Sequence, residues 1–218
     1  NGTIISGATG SSIILGPITT TDAGNYDVVV TGTCGSVTSN AATLTVNTGP
    51  AITAQPVTLT QCTGTNATFS VTATGTGLTY QWQKDGSNIA GATGSSYTIT
   101  GIATTDAGSY REVITGTCGN ITSNAATLTV NTAPAITAQP VSIAQCTGTN
   151  ATFSVTATGT GLTYQWRKDG TAIAGATGSS YTINNINATH AGSYDVVITG
   201  TCGSLTSNAA TLTVNTPP

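Results

Sequence analysis

Five cysteines are the residues in this chain whose type and spacing could do covalent chemistry. They form two classes. Cys34, Cys118 and Cys202 each stand in Gly-Thr-Cys-Gly, while Cys62 and Cys146 each stand in Gln-Cys-Thr-Gly-Thr-Asn. Within each class the spacing is 84 residues. Zinc ligands come at short spacings, often with histidine beside them, and this pattern does not fit. Repeated thiols of this kind, in an oxidising compartment, read as a disulfide framework.

Other chemistry has little to stand on. His190 is the single histidine, and Asn187, Ala188 and Thr189 give it no catalytic or metal-binding partner, so a surface turn is expected. No Gly-x-Ser-x-Gly elbow occurs, and an enzyme is not expected. Asp85, Asp106 and Glu112 are isolated, whereas calcium needs roughly six to eight oxygens. Asp106 reads instead as the cap of a turn. Alternation from Tyr110 points Glu112 inward, where an unpaired carboxylate costs several kcal/mol or titrates neutral. Its equivalents are Val28 and Val196, so Arg111-Glu112 reads as a variant confined to one copy or as a shifted strand. Lys84 and Lys168 fall in an exposed turn, which argues against a Lys–Asn isopeptide bond. Trp82 and Trp166 belong to a core by alternation, and Ile13 replaces Tyr97 and Tyr181, so few aromatic platforms remain for stacking on sugars. Asn66, Asn120, Asn150 and Asn187 begin Asn-x-Thr sequences of the kind expected by chance in so Asn- and Thr-rich a chain.

These residues are positioned by a repeat. Ile-Thr-Ala-Gln-Pro at 52–56 returns at 136–140, Tyr-Gln-Trp at 80–82 returns at 164–166, and Asn-Ala-Ala-Thr-Leu-Thr-Val-Asn begins at Asn40, Asn124 and Asn208. The period is 84 residues, and the two full copies differ at about fifteen positions. So long a period is a whole domain rather than a solenoid rung. The expected division is 1–48 as the C-terminal half of a repeat, then 49–132 and 133–218 as full repeats. Asn1-Gly2 aligns with Asp85-Gly86, and Pro217-Pro218 reads as the start of a further linker.

Charged residues are 5% of the chain, with four Lys and Arg, which argues against nucleic-acid and membrane-surface partners. No signal peptide or long apolar run is present in the sequence. Abundant Thr, Val and Ile alternate with small polar residues, a β composition. Within 49–132 the expected strands are Val57 to Gln61, Ala67 to Ala73, a segment carrying Leu78, Tyr80 and Trp82, Ser96 to Ile102, and a last hairpin of Tyr110 to Thr115 with Ile121 to Val130. No stretch has helical periodicity.

Trp82 in Tyr-Gln-Trp-Gln-Lys-Asp-Gly, followed by Asp-Ala-Gly-Ser-Tyr at 106–110, resembles immunoglobulin-like domains of the intermediate type. The resemblance implies an all-β fold of tandem immunoglobulin-like β-sandwiches, about 84 residues per repeat. It makes Trp82 and Trp166 the strand C core residues, and Tyr26, Tyr110 and Tyr194 the tyrosine corners. Val71, Val155 and Val196 would then be core where the family's cross-sheet disulfide usually lies, with Val28 and Glu112 at the remaining strand F positions. The phrases Cys-x-Gly-x-x-Ala-Thr-Phe and Ser-Asn-Ala-Ala-Thr-Leu-Thr-Val look closer still to repeats of giant surface proteins of Bacteroidota, including gliding adhesins exported by the type IX secretion system.

On this resemblance Cys62 lies at the A–B end of a bead, and Cys118 and Cys202 lie in F–G turns at the other end. Opposite ends of one bead are too far apart for a disulfide, so pairing between repeats is the expected one and pairing within a repeat the alternative. A head-to-tail array would join Cys62 to Cys202 between repeats, with Cys34, Cys118 and Cys146 pairing to neighbouring repeats outside the segment. A different strand arrangement would join Cys62 to Cys118 within one repeat. The implied function is a structural stalk or filament segment of a secreted, extracellular, cell-surface adhesin that displays a distal tip. The alternative is a multivalent polysaccharide- or cell-binding module. Homo-assembly into filaments, with strands from a neighbour completing the initial half-domain, is a third reading. No cofactor, metal, nucleic acid or membrane insertion is expected, and the partners are neighbouring repeats of the same chain.

Overall fold

The computed structural model describes residues 2–216, so the readings placed on Asn1 and on Pro217-Pro218 lie outside the described residues. Among the described residues the only helical pieces are three-residue 3-10 turns, Thr20–Asp22, Thr104–Asp106 and Ala188–His190. None of the described helices is long and apolar enough to cross a membrane. The chain divides into two compact units. One comprises the residues up to Pro56, with 70–97 and 110–125; the other comprises 57–69 and 98–109 with the residues from Ala126 onward.

The second unit contains the complete copy of the repeat from 133 on. Its larger sheet runs Ile143–Cys146, Ala210–Asn215, Gly192–Gly200, Thr163–Lys168, Thr171–Ala172, with Gly203–Thr206 also paired to Gly192–Gly200. Ile143–Cys146 is parallel to Ala210–Asn215, setting Cys146 opposite Asn215. The opposing layer consists of Ala151–Ser154 paired with Ser180–Ile183, and Ala135–Ala138 paired with Thr156–Thr158. Alternation decides which side chains meet between the layers. Phe153, Trp166, Tyr194, Val196, Ile198 and Leu212 are all buried in one cluster. Phe153 stacks on Tyr194 with ring centroids 4.7 Å apart, and Tyr181 lies 6.4 Å from Tyr194, so Tyr181 is packing. Asp169 and Gly170 both take positive φ, 50° and 80°, in the tight turn that the Asp-Gly pair favours.

In the first unit, Thr79–Lys84 pairs with Ser87–Asn88 and with Gly108–Gly116, and Gly108–Gly116 turns back into Gly119–Thr122. Trp82 is fully buried, and Val71 nearly so. Arg111 lies opposite Gln83 and donates to its Oε1 at 2.8 Å. The copy at 167 and 195 reverses the partners, with Arg167 gripping Asp195 through two bonds of 2.6 and 2.8 Å. That grip raises the Arg167 guanidinium further above its ordinary range.

Three expectations need correction. The first strand is Leu59–Cys62 rather than Val57 to Gln61, and Val57 is exposed. A strand at Ala51–Ala54, before Pro56, pairs with Thr72–Thr74. Proline divides this edge in two, since it cannot donate to a ladder. The last strand is broken: Gly119–Thr122 and Ala126–Asn131 are separate. Ser123 causes the break, accepting from the Glu112 N–H through Oγ at 2.9 Å while donating to the Asn124 carbonyl at 2.9 Å. Ser39 and Ser207 repeat this device with Val28 and Val196. Finally, Tyr26 is half-buried and Val28 is 49% exposed, because residues 2–47 carry no counterparts of Phe153 and Trp166 to cover them.

Candidate functional site: the Cys62–Cys202 junction

Cys62 is the last residue of Leu59–Cys62, a strand parallel to Ala126–Asn131, and it stands opposite Asn131. The turn after it is closed by hydroxyl and backbone bonds. Thr65 donates to the Cys62 carbonyl through both its N–H, at 3.2 Å, and its Oγ1, at 2.7 Å. The Gly64 N–H reaches Ile102 at 2.8 Å, and Asn66 Oδ1 accepts from Gly101 at 3.0 Å. Cys202 sits in the two-residue turn between Gly192–Gly200 and Gly203–Thr206, with Gly200 paired to Gly203. Gly203 has φ +112°, which a side chain would resist.

The structure joins these two sulfurs across 140 residues of sequence, with Cα atoms 5.8 Å apart. That lies within the reach of an unforced disulfide. Cys62 therefore bonds to the F–G turn of the following repeat and not to Cys118. Cys34, Cys118 and Cys146 are free and exposed.

The polypeptide crosses the same junction held by hydrogen bonds and close packing. Thr132 and Thr160 exchange two bonds, Thr132 N–H to Oγ1 at 3.0 Å and Thr160 N–H to the Thr132 carbonyl at 3.1 Å. Pro134 sits over Gly159 and Gly200, where an added Cβ would lie 3.0 Å from its Cα and Cγ respectively. Thr48 and Thr76 make the same exchange one repeat earlier. Each linker is thus tied to the bead it enters, and the disulfide adds a second covalent tie at 62–202.

The remaining singled-out residues are structural. Trp82 and Trp166 donate their indole N–H groups to Gly94 and Gly178 at 2.9 and 3.0 Å. Gln81 and Gln165 in the Tyr-Gln-Trp phrase brace the next turn by donating to Ile89 and Ile173, each at 2.8 Å. Gln55 and Gln139 accept from Asn124 and Asn208, a role the Ala-Gln-Pro phrase did not disclose. Asp106 caps its turn by accepting from the Ala103 N–H at 2.8 Å, and His190 Nδ1 accepts from Asn187 at 3.0 Å in the same place. The Thr19 backbone N–H and hydroxyl hold the Asp22 carboxyl below its ordinary range. Tyr26 and Tyr194 donate their hydroxyls to the carbonyls of residues 22 and 190, at 2.6 and 2.7 Å. Burial, with Tyr181 and Asp169 nearby, pushes the Tyr194 phenol up to about 12, so it remains a donor. Among the described residues no three His, Cys, Asp or Glu come together as metal ligands would.

Residues 132–217 match a family model described as an Ig-like domain, CHU_C associated, and 51–132 match one described as a domain of unknown function (DUF8696). Residues of the chain are 38% identical over 120 residues to Endoglucanase C of Cellulomonas fimi, covering 52% of this chain and 11% of that protein. They are 32% identical over 153 residues to the highly immunogenic outer capsid protein of Enterobacteria phage T4, covering 64% of this chain and 39% of that protein. The chain thus spans well under half the length of either relative. Among solved structures, the I-band fragment I67–I69 of titin has TM-score 0.66 at 21% identity, over 80% of this chain and 68% of that chain. The chain is an all-β tandem of immunoglobulin-like β-sandwiches.

Proposed function

We propose that the chain is an extracellular spacer, a stalk or filament segment of a large secreted bacterial surface adhesin of the gliding-adhesin kind found in Bacteroidota. The observation that carries this reading is the Cys62–Cys202 bond beside a hydrogen-bonded linker. A second covalent tie removes hinge freedom at a junction, and a spacer works by holding its length. The bond also fits an oxidising, extracellular setting. Buried tryptophans, capped turns and scattered carboxylates supply no reaction centre, which suits a module that acts by reach. Its partners are neighbouring repeats of the same chain. Tandem concatemers of the chain, imaged by electron microscopy, should be unbranched rods whose contour length rises in proportion to repeat number; compact particles would contradict the spacer.

A binding module is the second reading, favoured by the likeness to part of a phage outer capsid protein and part of an endoglucanase. Polysaccharide or cell-surface binding by the chain on a glycan array, growing with repeat number, would support it.

A further inference from the structure

We propose that the facing residues Gln83 and Arg111 in one full repeat, and Arg167 and Asp195 in the other, form a pairing code that keeps these near-identical repeats from exchanging strands as they fold. Neighbouring repeats this alike are prone to such misassembly. The interior gives no protection against it. Residues 61–82 and 145–166 are identical in sequence, and the buried Phe69 and Trp82 of one repeat match the buried Phe153 and Trp166 of the other. A wrongly paired strand would therefore bury the same apolar side chains as the right one.

Discrimination has to come from positions that differ, and in the paired strands these line up. Thr79–Lys84 and Thr163–Lys168 differ only in Gln83 against Arg167. Gly108–Gly116 and Gly192–Gly200 differ only in Arg111-Glu112 against Asp195-Val196. Register sets Arg111 directly opposite Gln83, and Asp195 directly opposite Arg167. On the other side of the same row, Asn88 lies opposite Gln83 and Ala172 opposite Arg167.

Each row satisfies itself by different means. Gln83 accepts from Arg111 Nε at 2.8 Å and donates through Nε2 to Asn88 Oδ1 at 2.8 Å. Arg167 instead holds Asp195 through both oxygens, and these side chains are only 30% and 19% exposed. If Gly108–Gly116 paired with Thr163–Lys168, Arg111 would face Arg167. The complementary error would set Asp195 against the Gln83 amide. The exchanged state thus loses a bidentate ion pair and gains like charges directly opposite each other, which repel. Glu112 does not discriminate, since it would leave Trp82 for the equally buried Trp166. The difference between the rows acts against the wrong partner, which is how specificity between similar partners is gained.

Optical-tweezer stretching of the full chain over repeated refolding cycles tests the code, with the 62–202 bond reduced so that both repeats can be drawn out. Separately folded repeats unfold in two steps of one repeat each, whereas an exchanged pair unfolds in one longer step spanning both. Gln83→Arg with Arg111→Asp gives both repeats the same Arg–Asp pair. It should raise the frequency of the longer step about threefold or more, without weakening either repeat's own step. Adding Arg167→Gln and Asp195→Arg interchanges the two pairs and keeps them unlike, so the frequency should return to that of the unaltered chain. Equal frequencies in all three chains, or an interchanged chain that exchanges as often as the matched one, would overturn the proposal.

Discussion

Glu112 occupies the place held by Val28 and Val196 in the other copies, and it is fully buried with neither carboxylate oxygen hydrogen-bonded. Its cross-strand neighbour is the buried Trp82. Burial alone pushes its pKa from an ordinary 4.5 up to about 7. A carboxyl raised in this way binds its proton more tightly folded than unfolded. Stability is then full below about pH 4.5, falls as pH rises towards 7, and stays low above it. Glu112→Val should remove that slope and stabilise the repeat at pH 8 by on the order of 2–3 kcal/mol. Urea titrations of both proteins at pH 4, 6 and 8 check this; parallel pH profiles would refute it. The inward placement of Glu112 was legible from alternation, and the capping by Asp106 from turn chemistry. The hydroxyl role of Ser123 and Ser207 was not, because a serine inside an alternating run looks like any other polar position until its partner strand is known.

At the scale of elements, alternation placed Ala67, Phe69, Val71, Trp82 and Tyr110 correctly in the interior. The strand Ala51–Ala54 escaped because a short run of Ala, Ile and Thr beside Pro56 carries little apolar pattern, and its pairing depends on a partner 20 or so residues away. The junction turns are equally silent in sequence, since glycine announces a turn but not what lies over it. Gly159 has φ +144°, and a Cβ there would lie 2.9 Å from Leu162 Cδ2, 3.0 Å from Pro134 Cα and 3.1 Å from the Ala133 carbonyl. Gly175 also has positive φ, +77°, but opens onto free space. Gly159→Ala should cost about 2–4 kcal/mol, combining backbone strain with overpacking, and Gly175→Ala only about 1 kcal/mol. Urea midpoints at unchanged m-value measure the difference; equal costs would show that the linker does not press on this turn.

For the whole molecule, the 84-residue period exposed the tandem, and the two cysteine classes exposed the possibility of a junction. The placement of Cys62 and Cys118 at opposite ends of a bead favoured Cys62–Cys202 between repeats, and the structure holds that bond. A bond closing 140 residues constrains the unfolded chain by about 4–5 kcal/mol in the chain-entropy view. Its mechanical effect is the more telling one, since the linker from Thr132 to Pro134 is already tied down on one side. The direct test is single-molecule energy transfer between dyes at Ser87 and Thr171, equivalent exposed positions in the two full repeats. With the 62–202 bond intact, the distance distribution should be narrow, and it should broaden in Cys62→Ser or on reduction. Distributions of equal width in both states would contradict the account.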